Sequence, residues 1–386
     1  MSFLQGFKVL DLASVGPAAR ASRILADYGM AVIKVAPVSR KGQKQTEPVY
    51  HAYGAGRGTR RIRVDLESAE GRDTVYRLAR ASDVLIESFR PGVAQRIGVG
   101  YEQLRAHNPR IVYCSTSGYG QHGPCAQWAG HDINYLAMGG FLACSGRDAA
   151  GRPAIPGATV ADSAGGGMHA ALAIVAALVN RLRCDEGAYL DVAITDGVLN
   201  LMSLHVDEYL ATGVETGPGS ALLTGKYACY GVYATRDGGA LAVGAIETRF
   251  FANLCRLLGV DALAAAQYDD ARQDELKAVL SEKFLARDRD AWTELLAGEN
   301  TCVTPVLGVA EVAANAHFAA RGSFVEARHP VHGAFRQLAP VLAGNARECQ
   351  PHQVAAAGAT DTDAVLGEAG FDATEIARLR SDGVVE

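Results

Sequence analysis

The feature that most constrains the fold of this chain is the alternation of short aliphatic runs with helical stretches from its start. Phe7-Lys8-Val9-Leu10-Asp11-Leu12 is followed by a helical pattern over 17–28, with Ile24, Leu25 and Tyr28 on one face. Ala31-Val32-Ile33-Lys34-Val35 is then a second strand, and Val84-Leu85-Ile86-Glu87 and Arg110-Ile111-Val112-Tyr113-Cys114 repeat the pattern after helices over 68–81 and 101–106. Strands separated by helices imply an α/β fold with a parallel sheet of doubly wound type. Further on, the spacing of Ala170, Ile174, Ala177 and Leu178 predicts a long helix over 166–183, and another runs from about 195 to 212 after Asp191-Val192-Ala193.

Composition shifts in the glycine-rich stretch 213–220, which suits a linker. Beyond it lies a smaller unit of mixed α+β character. Strand patterns at 227–234 and 240–246 meet through Arg236-Asp237-Gly238-Gly239, which reads as a turn, and helices follow near 248–258, 272–285 and 289–297. The segment 323–345 reads as irregular, and a helix near 373–380 comes last.

A formal net charge of −5 over 386 residues argues against nucleic acid as a partner, since phosphate-backbone binding needs a basic face. The eight cysteines, at 114, 125, 144, 184, 229, 255, 302 and 349, include no C-x-x-C pair and no metal-type spacing, so reduced thiols, a cytoplasmic protein and no metal are expected. The first residues lack a charged segment followed by a long apolar one, so no signal peptide is expected. The apolar run near 170–179 is broken by its neighbours, and no membrane span is expected.

Gly118-Tyr119-Gly120-Gln121-His122-Gly123 matches G-x-G-x-x-G after a strand, but Pro124 follows at once and no helix pattern begins inside the motif. The dinucleotide fingerprint needs a helix N-terminus there, so no NAD site is expected. The basic residues are more informative. Arg40, Lys41 and Lys44 precede Arg57, Arg60, Arg61 and Arg63, and Arg90 and Arg96 follow the strand 84–87. In a doubly wound sheet, loops beyond the strand carboxyl ends would gather several of these cations where ligands bind, and guanidinium groups suit phosphates. Solvated surface is the alternative for any one of them.

Two further groups bear on chemistry. His131, in Gly130-His131-Asp132-Ile133-Asn134-Tyr135, and Asp162, ahead of Gly165-Gly166-Gly167, place an imidazole and a carboxylate near segment ends. Facing each other across an acidic C–H, such a pair can remove a proton from one side and return it on the other. Asp162 at a helix start would also lie beside free N–H groups that favour negative charge. Alternatively Asp162 is simply an N-cap and His131 a packed or capping residue, while Asp132 is a rival local carboxylate or bonds nearby backbone.

Several stretches resemble the class III CoA-transferase family, the group that includes formyl-CoA transferases, carnitine CoA-transferases and α-methylacyl-CoA racemases. They are Lys8-Val9-Leu10-Asp11-Leu12, the run 25–35, the run 82–92 with Phe89-Arg90-Pro91-Gly92, Ser117-Gly118-Tyr119-Gly120 with Gly123-Pro124, and Cys302-Val303-Thr304-Pro305-Val306. The resemblance covers about residues 5–325 and implies an interlocked homodimer. Each chain would have a large Rossmann-like domain assembled from both ends of the sequence (1–212 and the return segment 323–386), a linker at 213–224 and a small domain at 225–322. It implies acyl-CoA as the substrate, with no cofactor beyond the CoA moiety. Arg90 and Arg96 match basic residues that hold CoA phosphates, Arg40 belongs with them, and 57–61 matches a phosphate-binding stretch that reads Arg57-Gly58-Thr59-Arg60-Arg61 here, without a lysine at 59.

By the same resemblance Asp162 matches the aspartate that transferases use as a nucleophile and racemases as an acid/base. His131 matches the racemase branch, and Glu247 corresponds to the small-domain glutamate that orients the histidine. The expected activity is racemisation of 2-methylacyl-CoA thioesters, part of lipid metabolism. The alternative is transfer of CoA between an acyl-CoA and a carboxylic acid through covalent Asp162. Ser163 in place of a phenylalanine, and the stretch Leu223–Tyr233, which resembles the transferases as much as the racemases, keep that alternative open.

Overall fold

The computed structural model describes residues 2–13, 15–39, 49–340 and 351–386. They fall into two compact units. The first comprises Met1–Gly139, Pro156–Met202 and Ala316–Glu386, and the second Gly140–Ile155 and Ser203–Asn315. The chain thus passes from the first unit to the second at 202–203, ahead of the glycine-rich stretch, and a short insertion at 140–155 also belongs to the second.

The first unit is built on a six-stranded, all-parallel sheet of β1 (Lys8–Asp11), β2 (Ala31–Ala36), β3 (Thr59–Arg63), β4 (Val84–Glu87), β5 (Val112–Ser117) and β6 (Ala188–Ala193), in the order β3-β2-β1-β4-β5-β6. Alternate side chains feed two cores, because a strand points successive residues to opposite faces. Val9, Val84, Ile86, Val112 and Cys114 pack on one face with α1 (Gly16–Asp27). Leu10, Leu85 and Tyr113 pack on the other with α2 (Ala69–Arg80) and the C-terminal helices Thr362–Glu368 and Ala373–Ser381. Burial on both faces explains why these strands read as unbroken aliphatic runs. β3 lacks that signature: its sequence is Thr-Arg-Arg-Ile-Arg at a sheet edge, and its residues read as cationic loop until Ile62 pairs beside Val35. The expectation of an irregular 323–345 is corrected for its described part. Phe324–His329 and Gly333–Leu338 form an antiparallel hairpin, with Val325, Ala327 and His329 turned inward, an alternation weakened by the histidine at one of its buried positions.

Between β5 and β6 the chain runs through a seven-residue helix α3 (Asp132–Met138), then a π-helical segment (Ala161–Met168) continuing into α4 (His169–Cys184), and α5 (Ile194–Leu201) follows β6. The continuous helix 161–184 corrects the expectation that no apolar run is long enough for a bilayer: its 24 residues meet that criterion by length and composition. Ala170, Ala171, Ile174 and Leu178 pack it into the sheet core, and buried Arg181 pairs with Asp83 at 2.6 Å. The glycines before α4 serve close approach. A Cβ on Gly166 would stand 2.5 Å from Pro17 Cβ, and one on Gly197 of α5 would stand 1.9 Å from the Gly165 carbonyl oxygen.

The second unit has an antiparallel three-stranded sheet, Tyr230–Ala234, Ala240–Gly244 and Val303–Pro305, against the helices Thr248–Leu258, Gln273–Phe284 and Arg289–Leu296. Its own core includes Phe251, Leu254, Leu280, Phe284 and Trp292.

Candidate active site

In a sheet of this order the connections leaving β1 and β4 run to opposite faces, which opens a crevice beyond the strand ends. A cleft of about 410 Å³ lies there. Its walls come from Pro17 at the start of α1, Ser88–Pro91 after β4, Thr116–Gly118 ending β5, and the loop that leads to Trp128, His131 and Tyr135. The G-x-G-x-x-G stretch forms part of that loop, and the next helix begins only at Asp132, so no helix terminus faces a ligand from within the motif.

His131 immediately precedes α3 in an extended conformation (φ −129°, ψ 178°), with no capping hydrogen bond from its side chain. Asn134 anchors the helix start instead: its Oδ1 accepts from the His131 backbone N–H at 3.0 Å, and its own N–H donates to the His131 carbonyl at 2.8 Å. The imidazole is therefore left exposed on the cleft wall. Asp132 turns the other way, and its Oδ1 accepts the backbone N–H of Asp162 at 2.8 Å. This bond joins the two segments that carry the predicted acid/base pair.

Asp162 is not an N-cap. It lies inside the π-helical segment, two residues after a helically disposed Val160, and π-turns of this kind concentrate at functional sites. The free N–H groups expected beside it are also corrected, since its own N–H is held by Asp132 and that of Ser163 by the Thr159 carbonyl at 3.0 Å. Burial raises the Asp162 carboxyl above the usual carboxylate range; Arg20 pulls it back down, Asp132 pushes it up, and His131 lowers it. The structure thus brings His131 and Asp162 within electrostatic reach of each other.

The arginines divide. Arg90 lines the cleft, and both it and Arg96 are exposed, with no ion pair among the described residues. Arg57 is directed inward, donating to the Leu338 carbonyl at 2.8 Å and standing 3.4 Å from Asp27. Arg60 pairs with Glu368 at 2.6 Å. Arg61 takes its backbone N–H to Asp361 and lines a separate cavity of about 610 Å³ with Arg23, Lys34, Tyr50, Tyr53 and His332. Arg40 lies outside the described residues. Glu247 is exposed at the start of the helix Thr248–Leu258 and belongs to the second unit. No cluster of three or more His, Cys, Asp or Glu side chains that could hold a metal occurs among the described residues.

Sequence reasoning missed two residues. Arg20 of α1 reaches Asp162, and no local signal announces a partner 142 positions away. Ser117 ends a run of three hydroxyl residues on β5. Ser115 Oγ accepts from Gln121 Nε2 at 2.7 Å and Thr116 Oγ1 donates to the Glu87 carbonyl at 3.2 Å, whereas the buried Ser117 Oγ has no partner among the described residues and its residue lines the cleft.

Set against known proteins, a chain with this sheet and this cleft belongs to CoA-transferase family III, whose profile it matches over residues 4–357. It is 34% identical over 385 residues to the α-methylacyl-CoA racemase of Homo sapiens, covering 99% of this chain and 97% of that one. It is 33% identical over 352 residues to a succinate–glutarate CoA-transferase of Agrobacterium fabrum, covering 84% of each. The crystal structure of a CAIB/BAIF family protein from Brucella suis superposes with a TM-score of 0.71 at 30% identity, over 84% of this chain and 89% of that one. The protein is an enzyme of a family whose members are racemases or CoA-transferases.

Proposed function

We propose that this enzyme racemises 2-methylacyl-CoA thioesters by moving the α-proton between His131 and Asp162. The observation that carries the reading is the pairing itself: an exposed imidazole on the cleft wall, and a largely buried carboxylate on a residue whose backbone N–H is held by Asp132, the neighbour of His131. The similarity to a protein named as an α-methylacyl-CoA racemase over nearly the whole chain supports it.

In this reading Arg90 and Arg96, which spend no charge on internal partners, hold the CoA phosphates, with Arg40 contributing. The thioester then enters the cleft with its α-carbon between the two bases. One base takes the proton as the C–H electron pair moves into an enolate, and the other returns a proton to the opposite face. Of the N–H groups that open α3, those of Asp132 and Ile133 have no acceptor among the described residues and replace those around Asp162 as donors to the enolate oxygen. A carboxyl raised by burial serves both halves of the cycle, since acid/base efficiency is greatest when the pKa approaches the working pH. Glu247 orients His131, the enzyme works as a cytoplasmic homodimer, and no cofactor is used beyond the CoA of the substrate. The exposed apolar side chains of α4, Leu172 (69%) and Leu182 (70%), support a covered face.

A single 2-methylacyl-CoA epimer in deuterated water, without an acceptor acid, tests the reading. Deuterium at the α-carbon together with epimerisation is expected, and neither appearing with any branched acyl-CoA sinks it. Asp162→Ala should cost about a thousandfold or more in turnover. The second reading, CoA transfer through an Asp162 anhydride and thioester, is favoured by the similarity to a CoA-transferase at nearly the same identity. Hydroxylamine trapping at Asp162 in the presence of candidate acids distinguishes it.

A further inference from the structure

We propose that Arg20 is a positioning residue for Asp162, holding that side chain in place and in its ionised form before substrate binds. The inference rests on the reading of Asp162 as the acid/base or nucleophilic group.

Three residues from two segments hold the guanidinium. Nη1 stands 3.4 Å from Asp162 Oδ2, Nη2 donates to Thr159 Oγ1 at 2.8 Å, and Cζ lies 5.0 Å from the centre of the Tyr53 ring. The two side chains of the pair are largely buried, at 17% and 19% exposure. Their approach depends on Gly167, where a Cβ would stand 2.8 Å from Arg20 Cβ. Any side chain there would drive α1 from the π-helical segment and pull the pair apart.

The charges around Asp162 show what the arginine accomplishes. From α3 and its cap come Asp132, His131 and Tyr135; α5, packed on the same segment, has Asp196 as its only charged residue, and α4 begins with His169. Arg20 is the one permanent cation set against the carboxylate among the described residues. Burial and Asp132 both favour the neutral acid, which can neither accept a proton nor attack a thioester. Arg20 opposes them. When Asp162 takes the substrate proton, a C–H bond breaks, an O–H bond forms and the electron pair passes to the enolate. Arg20 then loses its counter-charge but keeps Thr159 and the Tyr53 ring, so it is still in place when the carboxylate returns.

The test follows the Asp162 carboxyl by carbon-13 NMR of aspartate-labelled protein, assigned with Asp162→Asn, and titrated in wild type, Arg20→Gln and Arg20→Lys. The midpoint should move up in Arg20→Gln and return most of the way in Arg20→Lys. The acid limb of kcat/KM on acyl-CoA should move upward in step with it. An unmoved midpoint in folded Arg20→Gln overturns the inference. If Arg20→Gln does not fold, Thr159→Val takes its place by loosening the guanidinium: a smaller upward move is expected, and none overturns the proposal. A midpoint that moves in a protein that neither exchanges the α-proton nor transfers CoA leaves the Arg20 inference standing and removes the functional reading.

Discussion

Two groups of arginines look alike in the sequence and do different work in the molecule. Arg57 and Arg60 are matched within the protein: Arg57 is held inward on Asp27 and the Leu338 carbonyl, and Arg60 pairs with Glu368 at the surface. Arg90 and Arg96, on the loop and short helix after β4, are exposed, and Arg90 lines the cleft that also holds His131. A cation already matched by a carboxylate must break that pair before it can bind a phosphate, whereas an unmatched one at the mouth of a cleft need not. Arg57 and Arg60 are spent on the fold, whereas Arg90 and Arg96 keep their charge to offer a ligand.

That contrast can be broken at several points. Replacing Arg90 and Arg96 together by alanine should raise KM for acyl-CoA about a hundredfold, two charge-assisted contacts being lost, while the melting temperature stays put. A melting temperature that falls with it would place these arginines in the fold after all. Arg57→Met should do the reverse, costing roughly 2 kcal/mol of stability in urea unfolding because a largely buried partner of Asp27 is removed, with KM for the surviving enzyme little changed. Arg23 stays on Asp27 at 2.6 Å and limits the damage. Ser117→Ala sharpens the ligand side. Removing a hydroxyl with no partner among the described residues should leave stability unchanged or slightly higher, and raise KM severalfold, worth about 1 kcal/mol. Unaltered KM would dissociate Ser117 from the ligand. Arg60→Ala is the smallest, about 0.5 kcal/mol of stability, since its pair with Glu368 is half in solvent at 31% and 53% exposure.

Much of the first unit was legible because its strands are buried on both faces and separated by helices whose apolar positions recur at helical spacing. β3 was not, because an edge strand with one deeply buried aliphatic side chain carries too little hydrophobic pattern, and the hairpin 324–338 was hidden because His329 and Gln337 share its buried positions with only Val325 and Ala327. At the site, His131 and Asp162 were visible as residue types in motifs, but the bond from the Asp162 N–H to Asp132 was not. Nor was the role of Arg20, whose partner is far away along the chain.

The sequence by itself determined the α/β alternation, the family resemblance and the two acid/base candidates, because periodicity and motif are local properties written in neighbouring residues. Only the tertiary structure decided which arginines are free to meet a ligand, that Asp162 lies inside a π-turn with its N–H already taken, and that Arg20 stands against it. Each of those depends on which distant segments packing brings into contact, and around Asp162 the close approach at Gly166, Gly167 and Gly197 is the physical step that sets it.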